Sequence, residues 1–163
     1  MKLDLRKIMD NPGSSLPFEY ELPTERLDFP SVRQYVKKPY AAGCIYNEAG
    51  VLQLKGNIHA EMCCVCDRCG CDFRYVKDTQ LNAAIVEEDD GENPENFVLE
   101  GDEIDLDDVL STCFILDMDT KLLCKEDCKG LCPKCGKNLN LGPCGCQKEI
   151  DPRFAVLEQL LDK

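Results

Sequence analysis

The stretch from Cys124 to Cys146 constrains this chain more than any other. It reads C-K-E-D-C-K-G-L-C-P-K-C-G-K-N-L-N-L-G-P-C-G-C, six cysteines punctuated by glycine and proline. Thiolates are good zinc ligands, and zinc takes four ligands in a tetrahedron. Cys132-Pro-Lys-Cys135-Gly136 has the form of a zinc knuckle: two sulfurs two residues apart, then a glycine that lets the chain turn back. Cys144 and Cys146 can supply the other two ligands across the short, turn-rich loop 136–143. Four cysteines also hold iron–sulfur clusters, so the pattern predicts a metal and leaves zinc and iron–sulfur both open. The segment has few large apolar residues and can hardly fold on burial alone. A structural zinc contributes roughly 10–16 kcal/mol of apparent binding free energy, comparable with the roughly 5–15 kcal/mol net stability of a whole domain.

The chain has 163 residues and 13 cysteines. An odd number argues against complete disulfide pairing. Met1-Lys-Leu-Asp-Leu-Arg alternates polar and apolar and lacks the apolar core of a signal peptide. No run approaches the roughly 18 apolar residues of a membrane span. The expectation is a cytosolic protein with reduced thiols, where clustered cysteines mean metal before disulfide.

The net charge of −12 is unevenly placed. Residues 1–80 are neutral overall, residues 81–120 carry acidic side chains and no basic ones, and residues 121–163 are slightly basic. Electrostatics alone make such a chain a poor non-specific nucleic-acid binder. The acidic loop Glu87–Glu95 reads first as a solvated linker, with mimicry of nucleic acid or docking of a basic protein as the sharper alternative. Lys125, Lys129, Lys134, Lys137 and Lys148 surround the cysteines, where they can balance thiolate charge or touch RNA phosphates.

Along the chain, Met1–Ile8 alternates as a strand and Asn11-Pro-Gly-Ser-Ser is a turn. Leu16–Leu22 alternates again, with Leu16, Phe18, Tyr20 and Leu22 on one face, before a proline-interrupted region to Pro39. Tyr40–Tyr46 and Val51–Met62 read as two strands joined by a hairpin turn at Asn47-Glu-Ala-Gly50. In the second, Leu52, Leu54, Ile58, Ala60 and Met62 share a face, with Gly56 a candidate bulge. Residues 72–86 form another strand and Asn96–Leu99 a short one. Asp105 opens a helix with Ile104 as a staple and an Asp105-x-x-Asp108 capping arrangement. Its apolar stripe is Leu106, Val109, Leu110, Cys113 and Phe114. Asp151-Pro152 caps a last short helix over Phe154–Leu161.

Cys66-Asp-Arg-Cys69 repeats the C-x-x-C spacing at the end of a predicted strand, but two sulfurs are an incomplete site. Cys124 and Cys128, at i and i+4, point one way if the turn between them is helical. Joining the pairs gives a first site of Cys66, Cys69, Cys124 and Cys128, and a second of Cys132, Cys135, Cys144 and Cys146. The rival is a single zinc on Cys128, Cys132, Cys135 and Cys144 or Cys146, leaving Cys66 and Cys69 as free thiols. Four sulfurs per ion leave no position for a catalytic water, so neither arrangement reads as an enzyme. His59-Ala-Glu61 with Pro143-Cys-Gly-Cys146 is only loosely similar to the zinc deaminases, whose pattern needs P-C-x-x-C. A thioredoxin-like role for Cys66 and Cys69 needs a βαβ context that this antiparallel pattern lacks. Cys44, Cys63, Cys64, Cys71 and Cys113 read as small hydrophobes.

Together these residues resemble the YceD family of large ribosomal RNA subunit accumulation proteins. The resemblance rests on Cys66-Asp-Arg-Cys69 after a strand, the acidic loop, I-D-L-D-D-V-L from Ile104, L-C-K-E-D-C-K-G-L-C-P-K-C-G-K-N-L-N from Leu123, and D-P-R-F-A-V-L-E-Q-L from Asp151. It implies a role in ribosome biogenesis, with large-subunit ribosomal RNA or a basic ribosomal protein as partner. Some family members lack the later cysteines, which implies two separable sites, the second dispensable for the shared function. Cys63, Cys64 and Cys71 depart from the family's simplest pattern around Cys66.

The expected fold is α+β: an antiparallel sheet with barrel-like closure as one option, one amphipathic helix and a cysteine-rich zinc-binding C-terminal segment. Residues 1–122 form the expected main domain, with 123–163 packed on it. The expected function is non-enzymatic support of large-subunit ribosomal RNA accumulation, with one or two zinc ions; a thiol-redox or zinc-handling protein is the alternative, motivated by the five cysteines beyond the eight ligands.

Overall fold

A computed structural model describes residues 1–88 and 96–146; the helix expected over Phe154–Leu161, Lys148, and most of the acidic loop Glu87–Glu95 lie outside the described residues. In chain order the elements are β1 (Lys2–Asp4), α1 (Arg6–Met9), β2 (Ser15–Glu21), β3 (Val32–Tyr35), β4 (Tyr40–Glu48), β5 (Val51–Val65), β6 (Asp72–Val86), β7 (Phe97–Val98), β8 (Glu103–Asp105) and α2 (Leu106–Asp117). The fold is α+β, mostly strands.

β5 and β6 form the spine, a long antiparallel hairpin paired from Leu52–Ile85 to Val65–Asp72 without a break in register. A strand's side chains alternate between faces, so one buried face leaves a period-two record. Leu52, Leu54, Ile58, Ala60, Met62 and Cys64 are buried from β5, and Thr79, Leu81, Ala83 and Ile85 from β6. β4 joins β5 through a two-residue turn in which Ala49 and Gly50 both have positive φ, 55° and 95°. That geometry matches the twist of the flanking strands. The expected turn is thus confirmed but shorter, since Asn47 belongs to β4. Buried Asn47 donates to the carbonyls of Ile8 and Met9 and accepts from the Gly50 amide, tying α1 to the hairpin.

The barrel-like option is not realised. The main sheet runs β2-β4-β5-β6-β7 and stays open, with β3 pairing the far end of β5 beyond the reach of β4. Closure would need β2 to meet the other edge, and β7 instead pairs β6 in parallel through two residues. β1 and β8 form a separate two-stranded ribbon. The strand expected over Met1–Ile8 therefore ends at Asp4; the next residues turn helically and bury Leu5 and Ile8. β3 lies inside the proline-interrupted region, where no strand was expected.

Gly56 is not a bulge. It faces Gly43 of β4 in continuous register, and Phe18 of β2 and Leu81 of β6 complete the same cross-sheet row. A Cβ on Gly43 would stand 2.3 Å from the Lys55 carbonyl oxygen and 2.8 Å from the Gly56 Cα. Backbone closeness, with the Phe18 ring against Gly43, explains both glycines.

α2 begins as the sequence indicated. Asp105 is its N-cap, its side chain accepting from the Asp107 amide at 3.1 Å rather than reaching Asp108. Leu106, Val109, Leu110 and Phe114 are buried, Cys113 only partly. Thr79 of β6 donates to Asp117 at 2.8 Å, Lys77 pairs with Asp117 at 3.2 Å and Tyr75 donates to Asp119. These bonds aim the chain leaving α2 at the β5–β6 loop. Replacing Gly43 with alanine should cost about 1–3 kcal/mol, read as a lowered denaturation midpoint, whereas Gly13→Ala meets no atom within 4 Å and changes only local turn strain.

Candidate metal centres

The loop joining β5 to β6 is the first C-x-x-C. The Cys66 amide donates to the Cys71 carbonyl at 2.9 Å, and the Gly70 amide to the Cys66 carbonyl at 2.8 Å. The second C-x-x-C repeats the device: the Cys132 amide donates to the Lys137 carbonyl at 2.9 Å, and the Gly136 amide to the Cys132 carbonyl at 2.9 Å. Gly70 and Gly136 occupy the same left-handed conformation, φ 68° and 71°. A glycine directly after each C-x-x-C was the sequence signal that the two loops are alike.

The chain brings the eight cysteines together as two groups. Cys66, Cys69, Cys124 and Cys128 form one, and Cys132, Cys135, Cys144 and Cys146 the other, with the sulfurs of each group within 4.8 Å of one another. In the first, Cys66 and Cys128 stand 3.7 Å apart, as do Cys69 and Cys124. Four sulfurs bonded at about 2.3 Å to one tetrahedral ion stand about 3.8 Å apart. The spacing therefore fits a single ion better than a multi-iron cluster, whose four cysteines are shared out among two or four irons. None of the thirteen cysteines, all among the described residues, is in a disulfide. The rival grouping of Cys128 with Cys132 and Cys135 is not what the chain assembles.

Electrostatics divide each group. Burial opposes ionisation of Cys66, but the amides of Cys124, Cys69 and Arg68 outweigh it and hold the thiol at about 6. Cys132, facing the amides of Cys135 and Lys134, is likewise lowered to about 6. The Cys71 amide lowers Cys69. Burial, then neighbouring sulfurs, pushes Cys124 up, and the sulfur of Cys135 raises Cys146 to about 12. Backbone amides prepare some sulfurs as thiolates, and a cation would be needed to ionise the others together.

The residues between the cysteines hold the first group shut. Asp67 pairs with Leu122 twice: its amide donates to the Leu122 carbonyl at 2.9 Å, and its carboxylate accepts the Leu122 amide at 2.6 Å. Its other oxygen accepts from the Ser31 hydroxyl, and these bonds hold the Asp67 carboxyl below its ordinary range. Arg68 donates to the Cys128 carbonyl at 3.1 Å, and a Cβ on Gly130 would lie 3.0 Å from the Arg68 carbonyl oxygen. The segment carrying Cys124 and Cys128 is a turn, closed by the Cys128 amide on the Lys125 carbonyl, and not helical.

Asn140, on the loop between Cys135 and Cys144, reaches the first group. Its side-chain amide donates to the Cys128 sulfur at 3.3 Å and to Asn138, while its oxygen accepts the Lys129 amide at 2.9 Å. Nothing in the spacing of the cysteines indicated Asn140 or Asp67. Cys64 is buried in the main core, Cys63 lies on the opposite face near Gln34, and Cys71 reaches the first group with its sulfur 3.2 Å from that of Cys69. His59 lies exposed on β5 beside Asp78, so no deaminase-like arrangement forms. Lys125, Lys129, Lys134 and Lys137 are exposed around the groups; Lys125 pairs with Asp127 and Lys137 donates to the Pro143 carbonyl. No helix among the described residues is long and apolar enough to cross a membrane.

Asp67→Ala should lower stability by about 1–2 kcal/mol by orphaning the Leu122 amide, measured by chemical denaturation. Asn140→Leu should weaken metal retention by the first group roughly tenfold or more, measured by competition with a chromogenic chelator.

The family model for the large ribosomal RNA subunit accumulation protein YceD matches residues 54–161. Similar proteins include the uncharacterized proteins Mb2951c of Mycobacterium bovis and Rv2926c of Mycobacterium tuberculosis, each 38% identical over 58 residues. That stretch is 36% of this chain and only 28% of the length of those relatives. No solved structure matches the chain. The family match begins within β5, takes in both cysteine groups and covers well over half of the sequence, so the chain belongs to the YceD family of large ribosomal RNA subunit accumulation proteins.

Proposed function

We propose that this protein is a non-enzymatic ribosome biogenesis factor that supports accumulation of large-subunit ribosomal RNA, and that each cysteine group holds one structural zinc ion. Membership of the YceD family carries the first part. The donor chemistry carries the second: each group offers four sulfurs at mutual distances suited to one tetrahedral ion, and all four positions are filled by protein. A closed site has no place for a reactive water, so the metals act as cross-links. The first joins the β5–β6 loop to the chain beyond α2, and the second folds residues 132–146 on themselves.

The surface so organised meets ribosomal RNA or a basic ribosomal protein. Lys125, Lys129, Lys134 and Lys137 support the RNA arm, being exposed on the least acidic part of the chain. Lysines contribute to RNA affinity by releasing counterions, so binding through them must weaken steeply with salt. The acidic stretch before α2 supports the protein arm.

Depletion in cells should lower the ratio of large- to small-subunit ribosomal RNA; an unchanged ratio would end the biogenesis reading. Anaerobically purified protein should carry two zinc ions, with Cys66→Ser and Cys132→Ser each losing one. Replacing the four lysines with glutamate should abolish salt-sensitive binding to large-subunit RNA and leave zinc content unchanged; binding that survives would move the RNA contact off these lysines, and no RNA binding by the unaltered protein would favour the protein partner.

A further inference from the structure

The first cysteine group contains one sulfur more than a tetrahedral ion takes. Cys71 stands 3.2 Å from Cys69, closer than the 3.7 Å separating Cys66 from Cys128 and Cys69 from Cys124. An S–S bond is about 2.05 Å, so about 1.2 Å of closure separates the Cys69–Cys71 pair from a disulfide. The residue between them is Gly70, exposed, with φ 68° and nothing within 4 Å of where its Cβ would be. The loop is therefore open to small molecules on that side. Cys69 is almost fully buried, whereas Cys71 is half-buried and within reach from solvent.

We propose that Cys69 and Cys71 form a peroxide-reactive dithiol, a modification site built onto the first cysteine group. The oxidant is hydrogen peroxide or another hydroperoxide. The Cys71 thiol gives up its proton and its sulfur attacks one peroxide oxygen; an S–O bond forms, the O–O bond breaks, and the departing hydroxide takes up that proton to leave as water. The Cys69 sulfur then attacks the sulfenic sulfur of Cys71; the S–S bond forms, the S–O bond breaks, and the hydroxide departs with the Cys69 proton as water. The two sulfurs together lose two electrons and the peroxide gains them. Cys66, Cys124 and Cys128 are left as a three-sulfur group. If the group holds zinc, as proposed above, its fourth ligand is spent and the ion is loosened; reduction by a thiol restores the original set.

Trypsin reads this directly, because cleavage after Arg68 and Arg74 leaves both sulfurs in the hexapeptide Cys69-Gly-Cys-Asp-Phe-Arg74. The full-length protein, as purified, is treated with one equivalent of hydrogen peroxide, alkylated, digested and analysed by mass spectrometry while zinc release is followed with a chromogenic chelator. The expected result is that this hexapeptide is the first to lose two hydrogens and escape alkylation, and that dithiothreitol reverses it. Cys71→Ser keeps its zinc and releases it roughly tenfold more slowly under peroxide. First oxidation at Cys66–Cys128 or Cys69–Cys124 overturns the proposal, as does zinc release unchanged in Cys71→Ser. A first group that carries no zinc yet forms the hexapeptide disulfide would sink the metal reading and leave the dithiol standing. A zinc-loaded group with an unoxidised hexapeptide would do the reverse.

Discussion

The described chain beyond α2 is tied to the sheet by closure of the β5–β6 loop against residues 122–128. Asp67 grips Leu122 through both its amide and its carboxylate, Arg68 holds the Cys128 carbonyl, and four sulfurs converge between them. Hydrogen bonds at exposed positions are individually modest. Converging thiolates without a cation repel one another, and protonated thiols bind one another weakly. The polar bonds align the two chain segments, and an ion bound by the four sulfurs would convert alignment into a lock. Arg68 and Asp67 belong to that lock as much as the sulfurs do.

The sheet serves this closure by being rigid where it matters. β5 and β6 are paired continuously up to Val65 and Asp72, so the loop at their end is fixed relative to the core. The Phe18–Gly43–Gly56–Leu81 row lets the strands approach closely midway along the hairpin. α2 is anchored to the same strand by Thr79, Lys77 and Tyr75, and buried Met118 and Leu122 carry the chain from its end to the loop. One strand thus positions both halves of the first cysteine group.

What was legible in the sequence was local or chemically singular. The alternation in Val51–Met62 marks β5 because one face is buried throughout. The α2 stripe and its Asp105 cap are read from four or five residues that touch one another. Cysteine pairs are so unusual in composition that the partition into two groups follows from spacing and from the family resemblance. Long-range pairing of short, weakly patterned segments was not legible. β1 ends at Asp4 because β8, about a hundred residues later, offers only three partners. β3 follows a proline and pairs β5 with an irregular register, which leaves no alternation to find. An open sheet and a barrel share the same strand patterns and differ only in whether the two edges meet. Asn140 and Asp67 look like ordinary loop residues until the sulfur and the amide they satisfy are in place.

The two cysteine groups differ in the span of chain each encloses. Cys132–Cys146 closes a short loop, while Cys69 and Cys124 are separated by 55 residues and Cys66 and Cys128 by 62. Loop-closure entropy grows only logarithmically, so the wider group is disfavoured by little more than about 1 kcal/mol. The larger difference is in time. At a synthesis rate of roughly 5–20 residues per second, Cys66 and Cys69 leave the ribosome about 3–11 s before Cys124 follows. During that interval the hairpin can fold with its two sulfurs, and the adjacent Cys71, facing the cell without their partners. The protein therefore begins life with a half-built site that must stay reduced until the rest of the chain arrives.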